Sequence, residues 1–217
     1  MIAIRLAALT AALATALPFA PAAQAAEAKS AQSKPAEAKN VLQCEGAFAR
    51  DSSHAKLVQA FGKSSVVFTD VDSAEGATVK ASVIYPDEPH RRVEVLWHDE
   101  KARSRPATVR VDFRSQWRTV RGLRIGSELA DVEKANGKPF KLLGFDWDFG
   151  GRVSDWQGGA LAAVPGGCDF RLAFNPWADA PEAERDRVSG DKEFLSTDPN
   201  MRASKPTVSE IIISYPQ

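Results

Sequence analysis

Three successive runs in this chain place an apolar residue at every second position, and that period limits what the chain can become more than any other feature. Val79, Ala81, Val83 and Tyr85 alternate with Lys80 and Ser82; Val93, Val95 and Trp97 alternate around Glu94; Val109, Val111 and Phe113 alternate with Arg110 and Asp112. Period two with a polar opposite face is the pattern of an antiparallel sheet covered on one side. A short strand-like run, Val66 to Phe68, precedes them. Pro86-Asp87-Glu88-Pro89 has the chemistry of a turn, and the charged stretch Asp99 to Pro106 reads as a loop.

Helices flank this block. Asp51-Ser52-Ser53 offers capping oxygens to a helix over His54 to Phe61, with Leu57, Val58 and Phe61 on one face and Gly62 as its stop. The same programme then restarts. Gly126-Ser127-Glu128 caps a second short helix with Leu129, Val132 and Ala135 on one face, and Asn136-Gly137 ends it. Strand-like segments resume at Phe140–Trp147, Val153–Trp156 and Leu161–Val164. A slide of about 75 residues sets Ser52 on Ser127, Leu57 on Val132, Ala60 on Ala135, Gly62-Lys63 on Gly137-Lys138 and Gly76 on Gly151. Each coincidence is weak alone; together they indicate two copies of one unit.

Beyond the second unit, Cys168 to Phe174 alternates as a strand. Pro181 to Val188 reads as a short charged helix, Ser189 to Lys205 as a polar loop, and Val208 to Tyr215 as a final strand. The expected fold is α+β: an antiparallel β-sheet packed on short helices, in a single domain over 41–217. Its repeat units fall roughly at 50–113 and 122–175, with a C-terminal extension over 176–217.

Two capped helices, each followed by antiparallel strands, resemble the β-lactamase inhibitor protein fold. The stretch from Gly122 to Pro139, with its glycine entry, short helix and Gly137-Lys138-Pro139 exit, is similar to BamE (SmpA/OmlA), a family of small outer-membrane assembly lipoproteins. The whole chain also resembles uncharacterised exported proteins of proteobacteria. The resemblance implies a sheet whose open face binds other proteins or cell-envelope components, without catalysis. The chain departs from BamE in having no lipidated cysteine, and segments 100–121 and 165–217 have no counterpart in the shared pattern.

The N-terminal 1–25 reads as a signal peptide. Arg5 is followed by Leu, Ala and Thr alone from Leu6 to Leu17, too short a run for a bilayer span of ~20 apolar residues. Pro18 and Pro21 break that helix, and Ala23-Gln24-Ala25 supplies the small-x-small pattern that predicts cleavage before Ala26. Residues 26–40, rich in Ala, Lys, Glu, Ser and Gln, have the composition of a flexible linker. The expected product is periplasmic or secreted, with no transmembrane segment after cleavage.

Cys44 and Cys168 are the two cysteines. In an oxidising compartment an even pair predicts a disulfide, worth ~4–5 kcal/mol at most for a loop of this length. A redox pair normally sits as C-x-x-C, which is absent; two buried thiols are the other reading.

The chain carries 28 basic and 28 acidic side chains, a balance that argues against nucleic acid or an anionic membrane as the main partner. No Gly-x-Ser-x-Gly occurs, and His54, His90 and His98 are dispersed. His90 and the run Trp97-His98-Asp99-Glu100 are read as a solvated strand end and its turn rather than a metal site. Arg114, Arg118, Arg121 and Arg124 surround Trp117 and suit a solvated loop first, or else a grip on phosphate or on an acidic partner. No catalytic, cofactor or metal residue is assigned.

The most distinctive stretch is Phe145-Asp146-Trp147-Asp148-Phe149-Gly150-Gly151, followed by Ser154-Asp155-Trp156. As a strand it would bury Phe145, Trp147 and Phe149 on one face and expose Asp146 and Asp148 on the other. Asp146, Asp148, Asp155 and Trp156 thus form the candidate partner-binding patch. The expected role is an exported protein-binding, scaffolding or inhibitor-like module; the alternative is a small periplasmic hydrolase using Asp146, Asp148 and Asp155.

Overall fold

The period-two runs become the strands of an antiparallel sheet, but their lengths and phases differ from the pattern in instructive ways. The computed structural model describes residues 40–217 apart from 74, 75, 112 and 177. The leader, its cleavage point and nearly all of the 26–40 linker lie outside the described residues.

In chain order the elements are β1 (Val41–Leu42), α1 (His54–Phe61), β2 (Val66–Asp72), β3 (Thr78–Ile84), β4 (Val93–Asp99), β5 (Ser104–Val111) and β6 (Arg118–Thr119). They continue with α2 (Leu129–Asn136), β7 (Lys141–Leu143), β8 (Val153–Asp155), β9 (Asp169–Asn175), α3 (Glu182–Asp186), β10 (Glu193–Leu195), α4 (Pro199–Ala203) and β11 (Thr207–Ser214). Six strands form the main sheet in the order β2-β3-β4-β5-β11-β9, every neighbouring pair antiparallel. A second sheet has the order β10-β7-β8, and β1 pairs with β6 in parallel. The class is therefore α+β with mostly antiparallel sheets and a few short helices.

Both eight-residue helices follow their sequence signals. Ser53 caps α1 by accepting from the Lys56 amide. Glu128 and Asp131 form a capping box on α2, which ends at Gly137 in the left-handed region. Leu57 from α1, Leu129 and Val132 from α2 and Met201 from α4 enter one core. There they meet Val93, Val95 and Trp97 of β4, Val109 and Val111 of β5, Phe170, Leu172 and Phe174 of β9, and Ile211 and Ile213 of β11.

On β3 the phase is the reverse of the expected one. Ser82 and Ile84 face the helices, while Ala81 and Val83 join Val71 in a separate small cluster to which no helix contributes. The reason is that Ser82 satisfies its hydroxyl inside the core, as described below. β3 pairs with β4 only over Ser82–Ile84, although it pairs with β2 over seven residues. Beyond Ser82 the β2–β3 hairpin leaves the sheet, so that the Asp72 carbonyl accepts from Arg110 of β5. This arrangement covers the apolar side of the hairpin.

Other expectations are corrected too. β2 runs well past Phe68, and β4 and β5 extend into the stretch read as a loop, leaving only residues 100–103 as the turn. Phe113 lies past the end of β5 and is 69% exposed. The strand expected over Phe140–Trp147 ends at Leu143, and Leu161–Val164 is irregular, held because buried Leu161 donates its amide to Asn136. The polar loop Ser189–Lys205 contains β10 and α4, the latter capped by Asp198 and opened by Pro199. The segment 176–217, read from sequence as an extension, delivers β11 to an interior position of the main sheet, between β5 and the edge strand β9.

Cys44 and Cys168 are joined in a disulfide, with Cα atoms 5.9 Å apart and 124 residues of separation. Such a bond fits an oxidising, exported location. It anchors the start of the described chain beside β9. The Tyr215 hydroxyl lies 3.0 Å and 2.7 Å from the carbonyls of Cys44 and Phe48, and burial pushes its pKa up to about 12. The first described residues are thus locked onto the last strand's end.

Two expected outcomes test this account. Replacing both Cys44 and Cys168 by Ser lowers stability by about 2–5 kcal/mol in urea unfolding; an unchanged midpoint would show that the tie is idle. Gly151 has φ +71°, and a Cβ there would overlap the Phe174 carbonyl oxygen. Gly151→Ala should therefore cost roughly 2–4 kcal/mol in the same assay.

Candidate functional site

The aromatic-acidic run is a turn. Gly144 donates its amide to Lys192, Phe145 donates to Val188, and Gly190 donates back to Phe145, all within 2.9–3.0 Å. Within the turn, Gly150 donates to Trp147 at 2.8 Å and Arg152 to Phe149 at 3.1 Å. These bonds moor residues 144–152 to the neighbouring segment 188–192. Asp146 and Phe149 adopt φ of 66° and 65°, a region non-glycine residues seldom enter. Phe145 turns into the core, whereas Trp147 and Phe149 are each 64% exposed. Ser189 Oγ donates to the Asp146 carboxylate, and Asp148 is solvent-facing.

The turn borders the helix-free face of the main sheet. The Arg152 guanidinium lies 5.1 Å from the Phe149 ring centroid and 3.8 Å from Glu210 of β11. It reaches Glu210 across Ala173, with which Arg152 forms a bridge and Glu210 is registered. The small alanine leaves room for that span. Further along the same face Glu94 accepts from Arg92 at 2.8 Å and from Arg110 at 2.7 Å. The band of alternating charge borders a cleft of about 250 Å³ lined by Asp72, Arg92, Glu94, Arg110 and Glu210. Two exposed aromatics thus lie beside matched charges.

The candidate patch read from sequence divides. Asp146 and Asp148 sit in the turn. Asp155 is opposite Lys141 at the other end of the β7–β8 pair, where it accepts from the Gln157 amide. Trp156 is half-buried between Phe140 and Phe170 and donates its indole N–H to the Phe170 carbonyl. It belongs to the core margin. Trp147 and Phe149 join the two aspartates in their place. Sequence reasoning missed them because alternation assigned both to the core; the signal that could have found them was Gly150-Gly151 closing an Asp-rich run, which is turn chemistry. Asp146, Asp148 and Asp155 are all exposed and lie at two ends of a strand pair, so they enclose no common substrate.

One pairing invisible in sequence resembles a nucleophile and its base. The Ser82 hydroxyl is 2.8 Å from His54 Nδ1 and 2.9 Å from Trp97 Nε1. The indole can only donate, so Ser82 accepts from Trp97, while the direction of its bond with His54 follows the imidazole tautomer. Ser82 is 0% exposed beneath α1, and no substrate atom can approach it. The trio serves the fold. His90 Nδ1 donates to the Arg114 carbonyl and His98 Nε2 to that of Tyr215, so the two imidazoles point to backbone. Among the described residues no group of three His, Cys, Asp or Glu is placed to hold a metal ion, and no helix is long and apolar enough to cross a membrane.

No protein-family model, curated protein or solved structure matches the chain.

His54 provides a pH test. Burial first, and then the nearby Arg103 cation, hold its pKa below the ordinary 6.5. The unfolded chain therefore takes up a proton that the folded chain refuses. Stability is full above pH 6.5 and falls as pH drops from there towards the depressed folded value. His54→Asn, which has no titrating group, should flatten that part of a urea-midpoint profile; a profile parallel to wild type would remove His54 as its source.

Proposed function

We infer that this protein is an exported, protein-binding module whose partner docks on the 144–152 turn and the adjoining charged face of the sheet. The observation that carries the reading is the pair Trp147 and Phe149. Each aromatic is held in water on a moored turn with two residues at positive φ, a local arrangement that costs free energy and contributes no burial. Covering such side chains would recover ~1.5–3 kcal/mol apiece, the scale of an interface anchor. Glu94, Arg92, Arg110, Arg152 and Glu210 supply the surrounding polar rim.

The tandem reading related to the β-lactamase inhibitor protein and BamE folds is part of this proposal. It is supported by element positions: α1 begins at His54 and α2 at Leu129, β2 at Val66 and β7 at Lys141, β3 at Thr78 and β8 at Val153. Each second start follows its first by the offset found in the sequence. On this reading the turn 144–152 is the second unit's version of the β2–β3 hairpin end. A leader cleaved before Ala26 would deliver the chain to the periplasm or beyond, where the partner is a protein or another envelope component.

Capture on the immobilised exported chain, from envelope extract, tests the reading. Trp147→Ala combined with Phe149→Ala should lower retention of the partner at least about tenfold while moving stability by less than about 0.5 kcal/mol. A partner held equally by the double variant places the interface elsewhere, and a wild-type chain that retains nothing above background sinks the binding reading.

A further inference from the structure

A second site lies away from the turn, where β1, β6 and the segment after it meet. Val41 of β1 pairs with Arg118 of β6, and Arg118 bridges antiparallel to Arg124, so the three form one cross-strand row. Residues directly opposed in such a ladder have Cβ atoms ~4.5–5.5 Å apart, and like charges there repel. Both arginines are exposed, and no ion pair among the described residues gives either of them a carboxylate.

The row lines a cleft of about 780 Å³ completed by Asn40, Ser115, Gln116 and Ile125. Its lining contains no acidic residue. Four other clefts among the described residues each contain at least one: Glu45, Glu128, the trio Asp72, Glu94 and Glu210, or Asp155 with Asp169. In a chain with equal numbers of basic and acidic side chains, this local imbalance is a specific placement. The floor is rigid as well. Trp117 is buried, donating its indole N–H to the Arg91 carbonyl and its amide to Ser115 Oγ. Arg118 donates its amide to Asn40, and Arg124 donates to Ser127 Oγ.

Two planar guanidiniums carried on directly opposed residues can converge on one group with several anionic oxygens. Each can give a forked pair of hydrogen bonds to a phosphate, and the ligand's charge removes the repulsion between them. Ser115 and Gln116 add neutral hydrogen-bonding capacity at the wall. We propose that this cleft binds a phosphate-bearing ligand, gripped between Arg118 and Arg124. A soluble molecule and a lipid headgroup both carry such a phosphate, and the chemistry of the grip is the same for either.

Calorimetric titration of the exported chain with inorganic pyrophosphate tests this directly. The expected result is saturable binding that weakens as salt rises, with Arg118→Gln and Arg124→Gln each reducing affinity about tenfold or more. Arg118→Lys, which keeps charge but loses the fork, should fall between, and Arg187→Gln should match wild type. Without ligand, either glutamine variant should raise Tm by about 1–3 °C because the like-charge pair is gone. Co-sedimentation with phosphatidylcholine vesicles containing phosphatidic acid, competed by pyrophosphate, assigns the phosphate to a headgroup; pyrophosphate binding without sedimentation assigns it to a soluble ligand. Absence of both kinds of binding overturns the proposal. So does binding that survives in both glutamine variants, or a Tm that falls in both, which would give the arginines to the fold.

Discussion

The pairing of β11 with β5 is the contact on which the rest of the structure depends. Ile211 opposes Val111 and Ile213 opposes Val109, all four of them buried. The same two isoleucines also oppose Leu172 and Phe170 of β9. A strand from the very end of the chain therefore closes a sheet whose other members were made much earlier, and it brings the apolar rows of both halves into one core. Pairings of such long sequence separation carry a large loop-closure cost. The Cys44–Cys168 disulfide and the Tyr215 hydroxyl bonds lie at the same end of that strand and reduce it, since each ties the beginning of the described chain to its last third.

Buried polar groups then specify how the elements meet. Asn136, 1% exposed, donates to the carbonyls of Lys138 and Trp156 and accepts from the Leu161 amide, so the last residue of α2 fixes the course of the chain after β8. Ser82 does the same for α1 against β3 and β4 through His54 and Trp97. Groups of this kind stabilise modestly when satisfied and cost more when left unpaired. They act mainly by excluding alternative packings.

That mechanism also explains what was legible in the sequence. The helices were, because a cap, an apolar stripe and a glycine stop all act within one short window: Ser53 to Gly62 and Glu128 to Gly137 need no distant partner. The strand type was legible as well, and so was the cysteine pair. The phase of β3 was not, because a serine reads as solvent-facing unless the partners that satisfy it are known, and His54 and Trp97 are distant in sequence. The aromatic run failed for a related reason. Period two places Phe145, Trp147 and Phe149 together only if the backbone stays extended, and Asp146 and Phe149 at positive φ turn the chain instead. At the site, two of the four expected residues, Asp146 and Asp148, lie beside the exposed aromatics, while Trp156 was displaced into the core margin by its stacking on Phe140 and Phe170.

The failure at the aromatic run bears on function. A sequence that matched its own pattern there would have buried Trp147 and Phe149 and gained the hydrophobic free energy. The observed turn forgoes it and adds backbone strain, while five backbone bonds and the Asp146–Ser189 contact hold the result in place. Local rules broken in a well-braced segment are expected where a structure serves something other than its own stability. A partner that covers these rings finds them already positioned, so little conformational entropy is lost on association. The mooring to residues 188–192 is thus the part of the fold that turns two misplaced hydrophobes into a pre-organised surface.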